Sequence, residues 1–386
     1  MNDPVYLDYN ATTPVAPEVL EAMLPYLREA YGNPSSSHHY GRIAHAAIDR
    51  AREQVAQLIS AKPDKIIFTG CATEASNIAI LGVMRTIGSI KRHVITSAIE
   101  HPAVLQPCLR LREDGWDVTI LPVDQAGRID PEAVARALRA DTALVSIMHA
   151  NNEIGTVQPI ADIARIAHSR GALMHTDAAQ SAGKIPVDVR ALGVDLLSIA
   201  GHKFYAPKGV GALYIRKSTP IASVIVGADH EHGIRPGTEN VPSIVGLGAA
   251  AKLARERLSA SNTHLCQMRD LLHHRLAEAI PRLILNGHPE HRLPNTLNVS
   301  FPGVMGRALL EAAEADVAAS LGSACHSESD AVSGVLAALG ATIERALGAV
   351  RLSVGTPTTA RDVARAAKAL IAAYAKIHHA GRAAKA

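Results

Sequence analysis

Between Ile66 and Ile215, short β-branched runs alternate with stretches of helical period. The runs are IIFT (66–69), HVIT (93–96), VTIL (118–121), ALVSIM (143–148), ALMHT (172–176), DLLSIA (195–200) and GALYI (211–215). Between them, segments such as PEAVARALRA and IADIARIAHSR place apolar residues at i, i+3, i+4 and i+7, the stripe of a helix that packs on one side. This alternation predicts an α/β architecture, a mainly parallel sheet with helices on both faces. In such sheets ligands sit beyond the carboxyl ends of the strands.

After Gly227 the pattern changes. A polar, glycine-rich stretch, GADHEHGIRPGTEN, leads into a helix from about Ser243 to Arg257 or beyond. Strand-like pieces follow, TLNVSF (296–301) and VRLSV (350–354), among further helices. This predicts a large domain over 14–257 and a smaller α+β domain built from 1–13 and 258–386. Thr359 and Asp362 have the spacing of a capping box at the start of the last helix.

Composition removes several classes. Apolar residues make up 48% and aromatics only 3%, so the core is aliphatic and alanine-rich. A net charge of +3, with no Lys/Arg cluster interleaved with aromatics, points away from nucleic acid. No run approaches the roughly 18 apolar residues of a membrane span, and MNDPVYLDYN lacks the apolar core of a signal peptide. Cys71, Cys108, Cys266 and Cys325 are scattered without a Cys-x-x-Cys pair, so no metal site is expected, and a reducing, cytoplasmic setting is. The pair of histidines in HEHG lacks a third ligand.

Three strand ends carry chemistry. In FTGCATEASN a glycine turn leads into a helix at Ala72-Thr73-Glu74, whose free N–H groups could bind a phosphate or simply be capped. In MHTDAAQSAGK, Asp177 ends an apolar strand, where a carboxylate either caps the following helix or pairs with a buried cationic nitrogen; Gln180 is within reach of the same ligand. In SIAGHKFYAPKG, Lys203 follows His202 at a strand end, where it could snorkel to water or act as a desolvated amine nucleophile. Phosphate, pyridinium nitrogen and aldehyde are the three handles of pyridoxal phosphate. A fourth feature is LGSACHSES, which sets Cys325 among small and polar residues, the setting of an accessible thiol rather than a core one.

Taken in order, LDYNATTP (7–14), GNPSS (32–36), ATE (72–74), EHPAV (100–104), NNEIG (151–155), DAAQS (177–181), GHK (201–203), RPGTEN (235–240), GSACHS (322–327) and RLSVG (351–355) span nearly the whole chain. As a set they resemble the cysteine desulfurases of the NifS/IscS type, class V of the fold-type-I pyridoxal-phosphate enzymes.

The resemblance implies roles. Lys203 would hold the cofactor as a Schiff base and move the Cα proton, and His101 would stack on its ring and serve acid–base steps. Asp177 would pair with the ring nitrogen and Gln180 with the phenolic oxygen. Ala72, Thr73 and His202 would hold the phosphate, with Thr238 reaching it from the other subunit of a homodimer. Asn152 and Arg351 would clamp the carboxylate of L-cysteine. Cys325 would attack the substrate sulfur, giving alanine and a persulfide for a sulfur-acceptor protein such as an iron–sulfur scaffold.

This chain departs from the family at Ala200, where a serine is common, and at Ala331-Val332-Ser333, where many members have Glu-Pro-Ser. Glu153 suits a loop-organising role as well as a catalytic one. A selenocysteine lyase shares these features, and an aminotransferase of the same fold shares all but the need for Cys325.

Overall fold

Largely buried apolar strands form the large sheet, and their alternate side chains enter two different cores. The computed structural model describes residues 3–322 and 332–383. In chain order the first elements are β1 (Val5–Tyr6), α1 (Pro17–Arg28), α2 (His39–Leu58), β2 (Ile66–Thr69), α3 (Ala72–Ile87), β3 (His93–Ser97), α4 (Pro102–Glu113) and β4 (Asp117–Leu121). They continue with α5 (Pro131–Ala137), β5 (Thr142–Ser146), α6 (Ile160–Ser169), β6 (Leu173–Asp177), α7 (Val189–Leu192), β7 (Leu196–Ala200) and β8 (Gly211–Ile215). The remainder is α8 (Val241–Ala279), β9 (Ile284–Asn286), β10 (Thr296–Ser300), α9 (Gly306–Ala313), β11 (Val317–Ala318), α10 (Gly334–Ala338), α11 (Ile343–Leu347), β12 (Ala349–Ser353) and α12 (Ala360–Ala383).

The large sheet has the order β2-β8-β7-β6-β5-β3-β4. All neighbours are parallel except β8, which runs antiparallel to both β2 and β7. Ile66, Phe68, Ile95, Val145, Leu197 and Ile199 face a core shared with α1, α2, α6 and the first half of α8. Ile67, Val94, Leu144, Leu196 and Leu213 face a second core under α3 and α4. Both faces are therefore covered, as the alternation predicts.

A second region is built on an antiparallel sheet β12-β10-β9 and a short parallel pair β1-β11. Its core joins Val5, Leu7, Leu297, Val299, Val350 and Leu352 to the last helix through Val363, Ala366 and Leu370. Helix α8 serves both regions: Leu247 and Ala251 pack in the sheet core, Leu265, Leu272 and Leu276 in the second. At α12 the predicted capping box forms, with Thr359 N–H donating to Asp362 Oδ2 at 3.0 Å and Asp362 N–H to Thr359 Oγ1 at 3.1 Å.

Candidate active site

The carboxyl ends of β2, β6 and β7, together with the N-terminal segment and β12, supply the site residues. After β2, Gly70 and Cys71 turn the chain into α3. Cys71 Sγ accepts from Glu74 N–H at 3.4 Å, and Cys71 O accepts from Ala75 N–H at 3.1 Å. Among the described residues, no protein acceptor meets the Ala72 and Thr73 N–H groups, and Thr73 is exposed. Two unsatisfied donors at a helix start, with the positive end of its dipole, suit a phosphate. Close approach of β8 needs glycine here: a Cβ on Gly211 would lie 2.7 Å from Cys71 C and 3.0 Å from Ala72 N. Glu74 also accepts from Gly70 N–H, and its Oε1 accepts from Arg235 Nε at 2.8 Å. That ion pair ties the exposed segment carrying Thr238 to the start of α3.

Asp177, at the end of β6, is 5% exposed. Its Oδ1 accepts from Ala179 N–H at 2.8 Å, but the chain after it forms turns rather than the helix that the capping reading expected; no described residue bonds its Oδ2. Burial raises its pKa, opposed by the Ala179 N–H and by the nearby His101 and Lys203. A buried carboxylate with a free oxygen suits a cationic nitrogen.

Lys203 ends the single turn Gly201–Lys203 that follows β7. Its Nζ donates to Asn10 O at 2.6 Å and Ala11 O at 2.8 Å. Burial first, then the Arg351 charge, lowers its pKa to about 8, against the pull of Asp177 and Asp8. A cavity of about 230 Å³ adjoins it, lined by Tyr9, Phe204, Tyr205 and Val354 as well as Lys184 and Lys203 itself. About a tenth of Lys203 is therefore free amine at pH 7, far more than of an ordinary lysine, and this is the form that attacks an aldehyde. Stopped-flow capture of pyridoxal phosphate by the cofactor-free chain is expected to accelerate about tenfold per pH unit well below this midpoint and to level above it; a pH-independent rate would contradict the assignment.

His101 caps α4, its Nδ1 accepting from Ala103 N–H at 3.1 Å, while the residue remains open to solvent on one side. Crowding by protein on the other side lowers its pKa, Asp177 opposing and Lys203 reinforcing. It therefore offers a neutral ring, fit for stacking and proton exchange. Beside it, Glu100 is fully enclosed; burial pushes its carboxyl up to about 8 despite bonds from Ser97 Oγ and Met148 N–H. His202 Nδ1 lies 3.1 Å from Thr12 Oγ1, and burial, with the nearby lysines, lowers its pKa to about 4. Ala200 is 3% exposed and brings no hydroxyl to the turn.

Arg351, on β12, is 4% exposed and held from several sides. Its Nη2 donates to Asp8 Oδ1 at 2.7 Å and Ser320 Oγ at 2.9 Å; its Nη1 donates to Asn152 O and Gly322 O, both at 3.1 Å. Its Nε is buried with no acceptor among the described residues. An orphaned charged donor is costly, and a substrate carboxylate would satisfy it. The Asn152 side chain makes no hydrogen bond within the described residues, whereas its carbonyl also accepts from Asn10 Nδ2 at 3.2 Å. Glu153 organises the neighbouring backbone: its Oε2 accepts from Ser333 Oγ at 2.5 Å, and Gly322 packs against its side chain. Cys325 and His326 lie outside the described residues.

Five residues of the site carry no assignment from sequence: Asn10, Asp8, Glu74, Arg235 and Lys184. Asn10 joins most of the others: its carbonyl accepts from Lys203 and from Gln180 Nε2 at 3.0 Å, and its side chain meets Thr296, Asn295 and Lys184. Lys184 had a legible signal, a lysine four residues after Gln180 within a run of small residues. Cys71 is exposed at the α3 cap; Cys108 is buried, which raises its thiol to about 12, and Cys266 is half-buried. His273 is half-buried and only His274 is fully solvated, because the α8 face turns inward towards Leu272 and Leu276.

With this arrangement in place, comparison with known proteins is specific. The sequence model of the class-V aminotransferase family matches residues 5–366. A curated relative named cysteine desulfurase IscS, from Dictyoglomus turgidum, is 49% identical over 364 residues, covering 94% of this chain and 92% of that one. The human protein named cysteine desulfurase is 47% identical over 363 residues, covering 93% and 79%. A solved NifS-like protein superposes with a TM-score of 0.90 at 40% identity, covering 96% and 98%. A structure titled SspA in complex with cysteine has a TM-score of 0.82 at 38% identity, covering 92% and 99%. The chain belongs to the class-V aminotransferase family and, within it, to the cysteine desulfurases of NifS and IscS type.

The donor set fits that family's cofactor. Free N–H groups at α3, the open Asp177 oxygen and the Lys203 amine match the phosphate, ring nitrogen and aldehyde of pyridoxal phosphate.

Proposed function

We propose that this chain is a pyridoxal-phosphate-dependent cysteine desulfurase that converts L-cysteine to L-alanine and leaves the sulfur as a persulfide on Cys325. The observation that carries the reading is the meeting of a partly deprotonated Lys203, a buried Asp177 and an Arg351 with an orphaned Nε. Ala72, Thr73 and His202 would hold the cofactor phosphate, Gln180 its phenolic oxygen, Asp177 its ring nitrogen and His101 its ring face. Bound there, the cofactor supplies an electron sink for negative charge at the substrate Cα.

Arg351 and Asn152 bind the substrate carboxylate. The Lys203 amine, when not held by the cofactor, would take the Cα proton. The Cys325 thiolate attacks the substrate sulfur; the Cβ–S bond breaks, the sulfur stays on Cys325, and the carbon skeleton takes up one proton at Cβ and regains one at Cα to leave as alanine. The persulfide then passes to an acceptor protein, such as an iron–sulfur scaffold.

The same reading includes a homodimer in which Thr238 reaches the partner's phosphate, supported by the exposure of Thr238 and the Arg235–Glu74 tether. It divides the chain into a large domain over 14–257 and a small one over 1–13 and 258–386, supported by the change of core along α8. A cytoplasmic setting suits the free thiols of Cys71, Cys108 and Cys266. Among the described residues, no helix is long and apolar enough to cross a membrane.

Replacing Arg351 with glutamine tests the substrate assignment. Loss of a charge-assisted bidentate contact is expected to raise KM for L-cysteine about 10- to 100-fold, with a smaller change in kcat. An unchanged KM in a folded variant would remove Arg351 from the carboxylate site.

A further inference from the structure

Lys184 is buried next to the site, and no carboxylate among the described residues pairs with it. It is 6% exposed, and its Nζ donates to two amide oxygens, Gln180 Oε1 at 2.9 Å and Asn10 Oδ1 at 3.3 Å. Its backbone carbonyl accepts from Asn262 Nδ2 at 3.1 Å, which anchors the residue to α8. Burial, then the charges of Lys203 and Arg351, lower its pKa well below the ordinary lysine value. A lysine retained under such desolvation needs a reason beyond packing, since an aliphatic residue would fill the space without that penalty.

The contacts supply one. Asn10 is oriented independently of Lys184: its Nδ2 donates to Asn152 O and to Thr296 Oγ1 at 2.8 Å, so its Oδ1 must face Lys184 and Asn295. Gln180 is held at both ends, its Oε1 by Lys184 Nζ at 2.9 Å and its Nε2 by the Asn10 carbonyl at 3.0 Å. A carboxamide can flip by exchanging its oxygen and nitrogen ends, and the pattern of neighbours decides which end points where. The Lys184 donor holds Gln180 Oε1, and Gln180 Nε2 is then directed to the Asn10 carbonyl, the same oxygen that accepts from Lys203.

We propose that Lys184 is a positioning residue which, by holding Gln180 Oε1 and Asn10 Oδ1, presents the Gln180 amide N–H to the phenolic oxygen of the bound cofactor. This rests on the cofactor reading given above. With Lys184 in place, Gln180 offers a donor to that oxygen and favours its deprotonated form. Without it the carboxamide keeps only the Asn10 carbonyl contact at Nε2, so its plane can tilt and its N–H is aimed less well at the phenolic oxygen.

The test uses the full chain as wild type, Lys184→Met, Lys184→Gln, Gln180→Ala and the Lys184→Met/Gln180→Ala double variant. Each is stripped of cofactor and titrated with pyridoxal phosphate, and the visible absorbance of the bound cofactor is followed against pH. Lys184→Met is expected to weaken cofactor binding about tenfold and to raise the midpoint of the pH titration by about one unit. Lys184→Gln, which keeps a donor, is expected to recover much of both. The double variant is expected to match Gln180→Ala alone, because a residue acting through another adds nothing once that other is gone. Additive losses, or a folded Lys184→Met protein with wild-type midpoint and affinity, would overturn the proposal. If Lys184→Met does not fold, Lys184→Gln decides: its midpoint should lie between those of wild type and Gln180→Ala, and a midpoint equal to that of Gln180→Ala overturns the role. A wild-type chain that develops no visible band would instead refute the cofactor reading itself.

Discussion

Lys203→Ala protein is expected to form alanine from L-cysteine at least about 10³-fold more slowly than wild type and to lose its visible cofactor band on gel filtration. Two functions rest on this one amine, holding the aldehyde and moving the Cα proton. The structure prepares both by placing the amine at a strand end and lowering its pKa to about 8 through burial and the Arg351 charge. The variant also loses two hydrogen bonds to the Asn10 and Ala11 carbonyls, which hold the N-terminal segment across the site. Thermal unfolding of the cofactor-free variant separates the effects, because lost tethering lowers its melting temperature whereas lost chemistry does not. Normal turnover by Lys203→Ala would end the mechanism proposed here.

Cys325→Ser is expected to abolish alanine formation to a similar extent while leaving cofactor affinity and the visible band unchanged. A serine hydroxyl near neutrality is almost wholly protonated and has little affinity for sulfur, whereas a thiol supplies thiolate and forms an S–S bond directly. Mixing this variant with L-cysteine should still perturb the cofactor spectrum, since substrate binding depends on Arg351 and Lys203. No alanine should follow. Mass spectrometry of the wild-type peptide after one turnover without reductant should show Cys325 heavier by one sulfur atom. Undiminished turnover by Cys325→Ser would favour an aminotransferase-like reaction in which this thiol has no part.

Most of the large sheet could be read from sequence because its strands are buried on both faces and therefore appear as continuous apolar runs; the IIFT and GALYI runs coincide with β2 and β8. The same burial hides strand direction, and nothing in GALYI announces that β8 runs against its neighbours. Two-residue strands such as β1 and β11 are too short to carry a period. Helix α8 is 39 residues long, yet its pattern fades near Arg257 because its apolar stripe changes partner between Ala251 and Leu265. In the site, Thr73, Asp177 and Lys203 stand at strand ends, where residue type and position are both visible. Asn10, Lys184 and Asp8 were not assigned because their meaning lies in distant contacts: 174 positions separate Lys184 from Asn10, and 343 separate Arg351 from Asp8.

The most direct test is to incubate the cofactor-loaded chain with L-cysteine under reductant and measure alanine and sulfide together. Equal amounts of the two, accumulating through many turnovers, are the result this account predicts. No alanine from a protein that retains its visible cofactor band would contradict it, and alanine from L-selenocysteine alone would make the chain a selenocysteine lyase instead.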